Sequence, residues 1–171
     1  MADPELGTLT VVDDRCVLTF VRTFGHPSEK VWRALTEPEQ LREWFPDEVV
    51  GEFRAGAPLT FVVPGHDAFH GEVIEFDPPS VLALRWGTDI LRFELTATDG
   101  GTRLTMTDTF EQLGKAARDA AGWHECLDRL THVLAGTAPE DPGTRWQAVH
   151  PRYVEYLGPE ASTIGPPEPA P

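Results

Sequence analysis

The sequence predicts an α+β domain in which one curved antiparallel sheet wraps around a long C-terminal helix. Three observations support this fold class. Apolar and polar residues alternate with a period of two along most of residues 49–110, and turn residues divide this segment at short intervals. A helical period follows over residues 115–135. The apolar stripe of that helix needs a large apolar surface to cover it, and the sheet is the only candidate of sufficient size.

Composition limits the classes of function. The chain has 171 residues, enough for one ordinary domain and few for two. Its 28 acidic residues outnumber its 14 Lys and Arg residues, which gives a formal net charge of −14 and makes nucleic acid an unexpected partner. No apolar run approaches the ~20 residues of a membrane span, and the N-terminus lacks a signal-peptide pattern. We therefore expect an acidic, cytoplasmic protein without integral membrane association.

One strand and two short helices are predicted ahead of the main sheet segment. The strand covers Arg15–Phe24, where apolar residues alternate along both faces. Pro27 suits the first turn of a short helix, whose apolar residues recur four positions apart. Thr36 begins a second short helix, and Pro46 ends it.

Six further strands are predicted in a meander, so that the sheet has about seven strands in all. Turn residues such as Pro64-Gly65, Pro78-Pro79 and Asp99-Gly100-Gly101 separate neighbouring strands. The six predicted strands cover residues 48–53, 58–63, 68–77, 81–86, 90–98 and 102–110.

The long helix is predicted over residues 115–135, and Gly136 is a natural C-terminal stop. Its apolar residues recur three and four positions apart and face the sheet. His124, Glu125 and Asp128 fall away from that stripe, so we expect them on a solvated face.

The remaining chain divides into two parts. Thr144 begins a short helix that runs to Leu157 and is interrupted by Pro151, and we expect this helix to pack on the domain. The proline-rich end has little apolar surface and is predicted to be disordered. The predicted organisation is a domain over residues 1–137, a linker and short helix over 138–158, and a disordered tail over 159–171.

Two separated motifs resemble one known family. The first comprises Phe20-Val-Arg-Thr-Phe24 and the run from His26 to Glu39, with Leu41 and Trp44 after it; the second is Gly122-Trp-His-Glu-Cys-Leu-Asp-Arg-Leu130. Both resemble the heat-shock protein 90 ATPase activator homologues (AHSA-type) of the START-like, or SRPBCC, superfamily, which includes the birch-pollen allergens. The resemblance covers about residues 10–136. It implies the helix-grip fold, with a cavity between sheet and long helix that holds apolar ligands or, in some branches, performs cyclisations.

The function that this resemblance favours is binding of an apolar or amphipathic small molecule in that cavity, in a stress-related or metabolic role. One alternative is a polyketide cyclase- or dehydratase-like enzyme that uses the same cavity, and another is a chaperone-interacting module that needs no cavity. The sequence has no phosphate loop and no nucleophile elbow, and neither cysteine has an obvious activating neighbour. We therefore predict no catalytic residue, no cofactor and no metal, and leave the oligomeric state open.

The expected cavity lining consists mostly of aromatic residues on the inward faces of predicted elements. His70 and Glu72 share a strand face with Ile74, which would bring polar groups to a ligand. A strand rotated so that Phe69 and Val73 face inward is the alternative. The full expected lining is Trp44, Phe45, Phe61, His70, Glu72, Ile74, Trp86, Phe93, Met106, Trp123 and Leu127.

Two charged residues lie on otherwise apolar strand faces. Arg22 alternates with Phe20 and Phe24, and Asp108 shares its face with Met106. If the first and last predicted strands are antiparallel neighbours, Arg22 lies opposite the beginning of the last strand and Asp108 near its end. The two are then too far apart to pair, and we expect both at the rim or on the convex side.

Overall fold

The computed structural model describes residues 5–165. Within them, eight strands form one antiparallel sheet in the order β1-β2-β8-β7-β6-β5-β4-β3. The strands are β1 Thr8–Val12, β2 Arg15–Phe24, β3 Glu48–Val50, β4 Pro58–Val62, β5 Phe69–Asp77, β6 Val81–Trp86, β7 Asp89–Thr98 and β8 Gly101–Phe110. The helices are α1 Ser28–Thr36, α2 Pro38–Leu41, α3 Ala116–Ala135 and α4 Thr144–Leu157.

The predicted fold class is confirmed: the sheet curves around α3, and the core lies between them. The predicted strand count is one too low, because β1 was missed. Four of the five residues of β1 are exposed, so its sequence has no alternation to signal a strand. Asp13 and Asp14 form the tight turn into β2 with φ angles of 50° and 63°, in the left-handed region that Asp tolerates better than most residues.

No helix among residues 5–165 has the length and apolar character needed to cross a membrane.

The pairing of β2 with β8 determines where the charged residues of these strands lie. Arg22 is opposite Leu104, and Leu18 is opposite Asp108, so Arg22 and Asp108 are separated along the sheet as predicted. Arg22 is half-buried on the concave side. Asp108 is fully buried, so its predicted place at the rim or on the convex side is wrong.

The prediction of a solvated face on α3 is also wrong, because α4 covers it. His124 is completely buried beneath α4. The Glu125 carboxylate accepts hydrogen bonds from the backbone N–H groups of Gly143 (2.9 Å) and Trp146 (2.7 Å), which lie at the N-terminus of α4. This contact satisfies N–H groups that have no partner inside the helix and places a negative charge at the positive end of the helix dipole. A carboxylate on α3 therefore holds α4 in place.

The predicted disorder from residue 159 onward is wrong for residues 159–165. Pro159–Ser162 forms a 3-10 turn, and Ala161 is buried. The Ile164 N–H donates to the carbonyl oxygen of Gly114 at 3.0 Å. The two segments approach closely here, because a Cβ built at Gly114 would lie 2.0 Å from Thr163 Oγ1, so a larger residue would require the Thr163 hydroxyl to rotate away. The remainder of the predicted tail, residues 166–171, lies outside the described residues.

Ending the chain at Gly158 should destabilise the domain relative to a chain that ends at Gly165. The shorter chain loses the buried Ala161 side chain and the hydrogen bond to Gly114, together worth about 1–2 kcal/mol. Urea unfolding of the two truncated chains measures the difference directly. Equal midpoints and slopes would show that residues 159–165 add nothing to stability.

Candidate functional site

Five aromatic side chains from five parts of the chain meet at one end of the concave face. We call Phe45, Phe61, Phe69, Trp86 and Trp123 the ring cluster; the neighbouring ring centroids lie 5.1 to 6.3 Å apart. Most of these contacts are tilted or edge-to-face, which are favourable geometries for aromatic pairs. The cluster joins the loop after α2, three neighbouring strands and α3.

Gly71 on β5 provides the space that the ring cluster needs. It lies directly opposite Trp86 on β6 and Leu59 on β4. A Cβ at this position would lie 1.7 Å from the backbone oxygen of Arg85 and 2.9 Å from the Phe61 ring. Any side chain here would displace the backbone of β6 or the Phe61 ring, so the position requires glycine.

The ring cluster has one accessible side. Phe45, Phe61 and Trp123 are buried, whereas Phe69 and Trp86 are only half-buried. The Trp86 indole N–H donates to Asp47 Oδ2 at 2.7 Å. Burial raises the pKa of Asp47 above its usual value, and the hydrogen bond from Trp86 partly offsets that rise. Two ring surfaces and one carboxylate therefore lie together where the cluster approaches solvent.

A second polar group contacts the ring cluster from inside the protein. The Trp123 indole N–H donates to Asp108 Oδ2 at 3.0 Å. Asp108 belongs to what we call the acidic cluster, Asp89, Asp108 and Asp119, in which one carboxylate oxygen from each residue lies within 4.8 Å of the other two. Burial, and then the charge of Asp89, raises the pKa of Asp108 to about 8.

The acidic cluster is partly neutralised by a lysine. Lys115 Nζ lies 2.7 Å from Asp89 Oδ2 and 3.2 Å from Asp119 Oδ2. The same ammonium lies 5.0 Å from the centroid of the Phe110 ring, in a cation–π arrangement. Asp108 Oδ1 is buried and has no hydrogen-bond partner among residues 5–165.

Most of the expected lining residues lie on the concave side, and Trp86 is the half-buried member of that group. Their side chains pack against one another and fill much of the space between sheet and helix. The buried members are Trp44, Phe45, Phe61, Phe93, Met106, Trp123 and Leu127.

The predicted inward face of β5 is wrong at three positions. His70 and Ile74 are exposed and Glu72 is half-buried, while Gly71 and Val73 between them are buried. The cause is a bulge between Val73 and Glu75, which adds one residue to β5 relative to β6. Before the bulge, Phe69 and Val73 face inward, which is the alternative orientation considered above.

Sequence reasoning missed the roles of four carboxylates: Asp47, which lies at the ring cluster, and the three members of the acidic cluster. Asp47 follows Pro46 directly, and Asp89 precedes the predicted start of its strand, so neither lay on a patterned face. Asp119 lies on the predicted long helix, and nothing in its spacing connects it with Asp89 or Asp108. Asp108 did carry a signal, because it alternates with Leu104 and Met106, but a charged residue on an apolar face is more often found at a rim.

A separate buried network connects α3, α4 and the segment before β1. Tyr153 OH accepts a hydrogen bond from the Gly7 N–H at 2.9 Å and lies 2.9 Å from His124 Nδ1. Because the Tyr153 oxygen already accepts from Gly7, its own hydrogen is free to donate to Nδ1. Burial, helped by the charges of Arg22 and Arg145, lowers the pKa of His124 to about 4 against the attraction of Asp128.

His124 should make the domain less stable in mild acid. The unfolded chain binds a proton at His124 near pH 6.5, whereas the folded chain resists protonation until about pH 4. The free energy of unfolding should therefore fall by about 2–3 kcal/mol from this residue as the pH drops through that window. His124→Gln removes the titrating group while keeping hydrogen-bonding capacity, so its unfolding free energy should vary less over the same range. Parallel pH profiles for the two proteins would contradict this assignment.

The architecture defines the class of protein: a long helix gripped by a curved antiparallel sheet, with two short helices after β2, is a START-like (SRPBCC) domain. The family model described as activator of Hsp90 ATPase homolog 1-like protein matches residues 25–135, which is more than half of the chain. The chain belongs to this family.

Solved structures share the fold. A conserved protein of unknown function, EF2215 from Enterococcus faecalis, is 24% identical with a TM-score of 0.77, over 88% of this chain and 90% of that one. CalU16 from Micromonospora echinospora is 19% identical with a TM-score of 0.70, over 88% and 95% of the two chains. Protein MLL2253 from Mesorhizobium loti is 25% identical with a TM-score of 0.66, over 71% and 98%. None of the curated proteins matches the sequence significantly.

Proposed function

We propose that the protein binds an apolar or amphipathic small molecule on the accessible side of the ring cluster, against Phe69 and Trp86 and beside Asp47. The observation that carries this proposal is the convergence of five rings at one end of the concave face, with two of them half-buried and a carboxylate next to them. Apolar sites with a few convergent polar groups are typical of small-molecule binding.

The rings supply the apolar part of such a site. A flat molecule that contacts Phe69 and Trp86 would replace solvent at the half-buried faces of both rings. Burying ~300 Å² of apolar ligand surface contributes roughly 7 kcal/mol before the cost of association, so micromolar affinity is the expected limit from apolar contact alone. Further affinity requires a polar contact.

Asp47 is suited to supply that contact. It lies beside the accessible rings, is 7% exposed, and uses Oδ2 to accept the Trp86 N–H. A ligand N–H or O–H group that reaches this carboxylate would form a charge-assisted hydrogen bond, which is stronger than a neutral one. The proposed ligand class is therefore an apolar ring system that carries one hydrogen-bond donor.

Binding is favoured over turnover because His70 and Glu72, the polar residues expected to face a ligand, do not line the ring cluster. His70 lies on the exposed face of β5, away from the ring cluster. The chaperone-interacting alternative is supported by the description of the family, and no surface among residues 5–165 has been identified that favours it.

Phe69→Ala should weaken binding of the neutral fluorescent probe N-phenyl-1-naphthylamine, which combines a naphthalene ring with one N–H donor. Loss of one aromatic wall should reduce affinity about tenfold, equivalent to about 1.4 kcal/mol. Phe76→Ala is the matched control, because Phe76 is also a half-buried phenylalanine on β5 but packs against Trp32, outside the ring cluster. A fluorescence titration measures all three affinities. Absence of saturable binding by the natural chain, or equal losses in both variants, would overturn the proposal.

Asp47→Asn tests the polar contact within the same titrations. Asparagine keeps an acceptor for the Trp86 N–H, so the ring cluster should be preserved while the charge is lost. The variant should bind N-phenyl-1-naphthylamine several-fold more weakly and bind pyrene, which has no donor, with unchanged affinity. Equal effects on the two probes would remove Asp47 from the site.

A further inference from the structure

We propose that the acidic cluster of Asp89, Asp108 and Asp119 is a binding site for a divalent cation of the Ca²⁺, Mn²⁺ or Mg²⁺ type, which displaces the ammonium group of Lys115. This site is separate from the proposed ligand site at the ring cluster and does not depend on it.

The spacing of the three carboxylates suits a single ion. One oxygen from each residue lies within 4.8 Å of the other two. Oxygen ligands of Ca²⁺ lie about 2.3–2.6 Å from the ion, so two ligands on opposite sides of it are about 5 Å apart. Mn²⁺ and Mg²⁺ require a slightly smaller cluster, which small side-chain rotations provide. Three carboxylate ligands without nitrogen or sulfur favour these hard cations over Zn²⁺ or Cu²⁺.

Asp108 supplies an observation beyond the accumulation of acids. Its side chain is fully buried, and Trp123 holds Oδ2 in place through the indole N–H. Oδ1 has no hydrogen-bond partner among the described residues. An unpaired buried carboxylate oxygen is costly, because it has lost its water without gaining a protein donor. A cation bound by all three carboxylates would contact this oxygen and so provide the partner that no described residue provides.

Lys115 balances part of the negative charge of the acidic cluster. Its ammonium contacts Asp89 and Asp119, and Arg118 donates to the other oxygen of Asp119 at 2.9 Å. One ammonium leaves the Asp108 oxygen unpaired. The Lys115 side chain is 14% exposed and that of Asp119 is 13% exposed, so the cluster reaches solvent on their side. A flexible lysine stem can withdraw along this route as an ion enters.

The wild-type protein provides the first test. Mn²⁺ bound at the acidic cluster would lie within a few ångströms of the Trp123 indole N–H, because that group donates to Asp108. Adding Mn²⁺ below one equivalent should therefore broaden the NMR signal of the Trp123 indole N–H, while the signal of Trp32, which packs against Phe76, remains sharp. An unaffected Trp123 signal at saturating Mn²⁺, or equal broadening of all indole signals, would overturn the proposal.

Calorimetric titration with Ca²⁺ and Mn²⁺ tests the roles of individual residues. Lys115→Met removes the competing ammonium and should tighten binding by about tenfold or more, with one ion per chain. Adding Asp108→Asn to that variant should weaken binding by about tenfold or more, because loss of a group that only supports a metal ligand already costs about 10–100-fold in affinity. Glu94→Gln, which removes a half-exposed carboxylate paired with Arg92, is the control for general attraction to an acidic protein. A loss in Glu94→Gln as large as that in Asp108→Asn would contradict a defined site.

Discussion

The position of Trp123 between the ring cluster and Asp108 is the interaction on which the rest of the site depends. The indole packs against Phe45 and Trp86, with centroid distances of 5.7 and 5.2 Å, and donates its N–H to Asp108 at 3.0 Å. One side chain thus packs α3 against the sheet, contacts the rings on one side and holds a buried carboxylate on the other. A buried indole needs a partner for its N–H, so the polar group inside the core and the aromatic packing require each other.

The sequence predicted the parts of the fold where one period continues without interruption. The strand Arg15–Phe24 and the long helix have the predicted bounds within one residue, because their apolar residues alternate or recur regularly against one core. β1 lacked any such pattern, since it is a mostly exposed edge strand. The bulge in β5 reversed the face of residues 70–74, and a period-of-two argument cannot detect an inserted residue.

The candidate site was predictable in its aromatic part and missed in its polar part. Trp86 and Trp123 were expected on the concave side from pattern and family resemblance, and they lie there. Their hydrogen-bond partners, Asp47 for Trp86 and Asp108 for Trp123, lie 39 and 15 positions away in the sequence. Only the tertiary fold brings these residues together. His124 and Glu125 illustrate the same point, because α4 makes an apparently solvated helix face part of the interior. Local sequence does not contain the information about which element will cover a polar face.

The central claim is that the accessible side of the ring cluster binds an apolar molecule, and the most direct test follows the five tryptophan indole N–H signals during titration with N-phenyl-1-naphthylamine. Binding at the proposed position predicts the largest shift for Trp86, whose N–H donates to Asp47, and a smaller one for its neighbour Trp123. Trp146, which packs on His150 in α4, should remain unchanged. Shifts at Trp146 with none at Trp86 would place binding elsewhere and contradict the account.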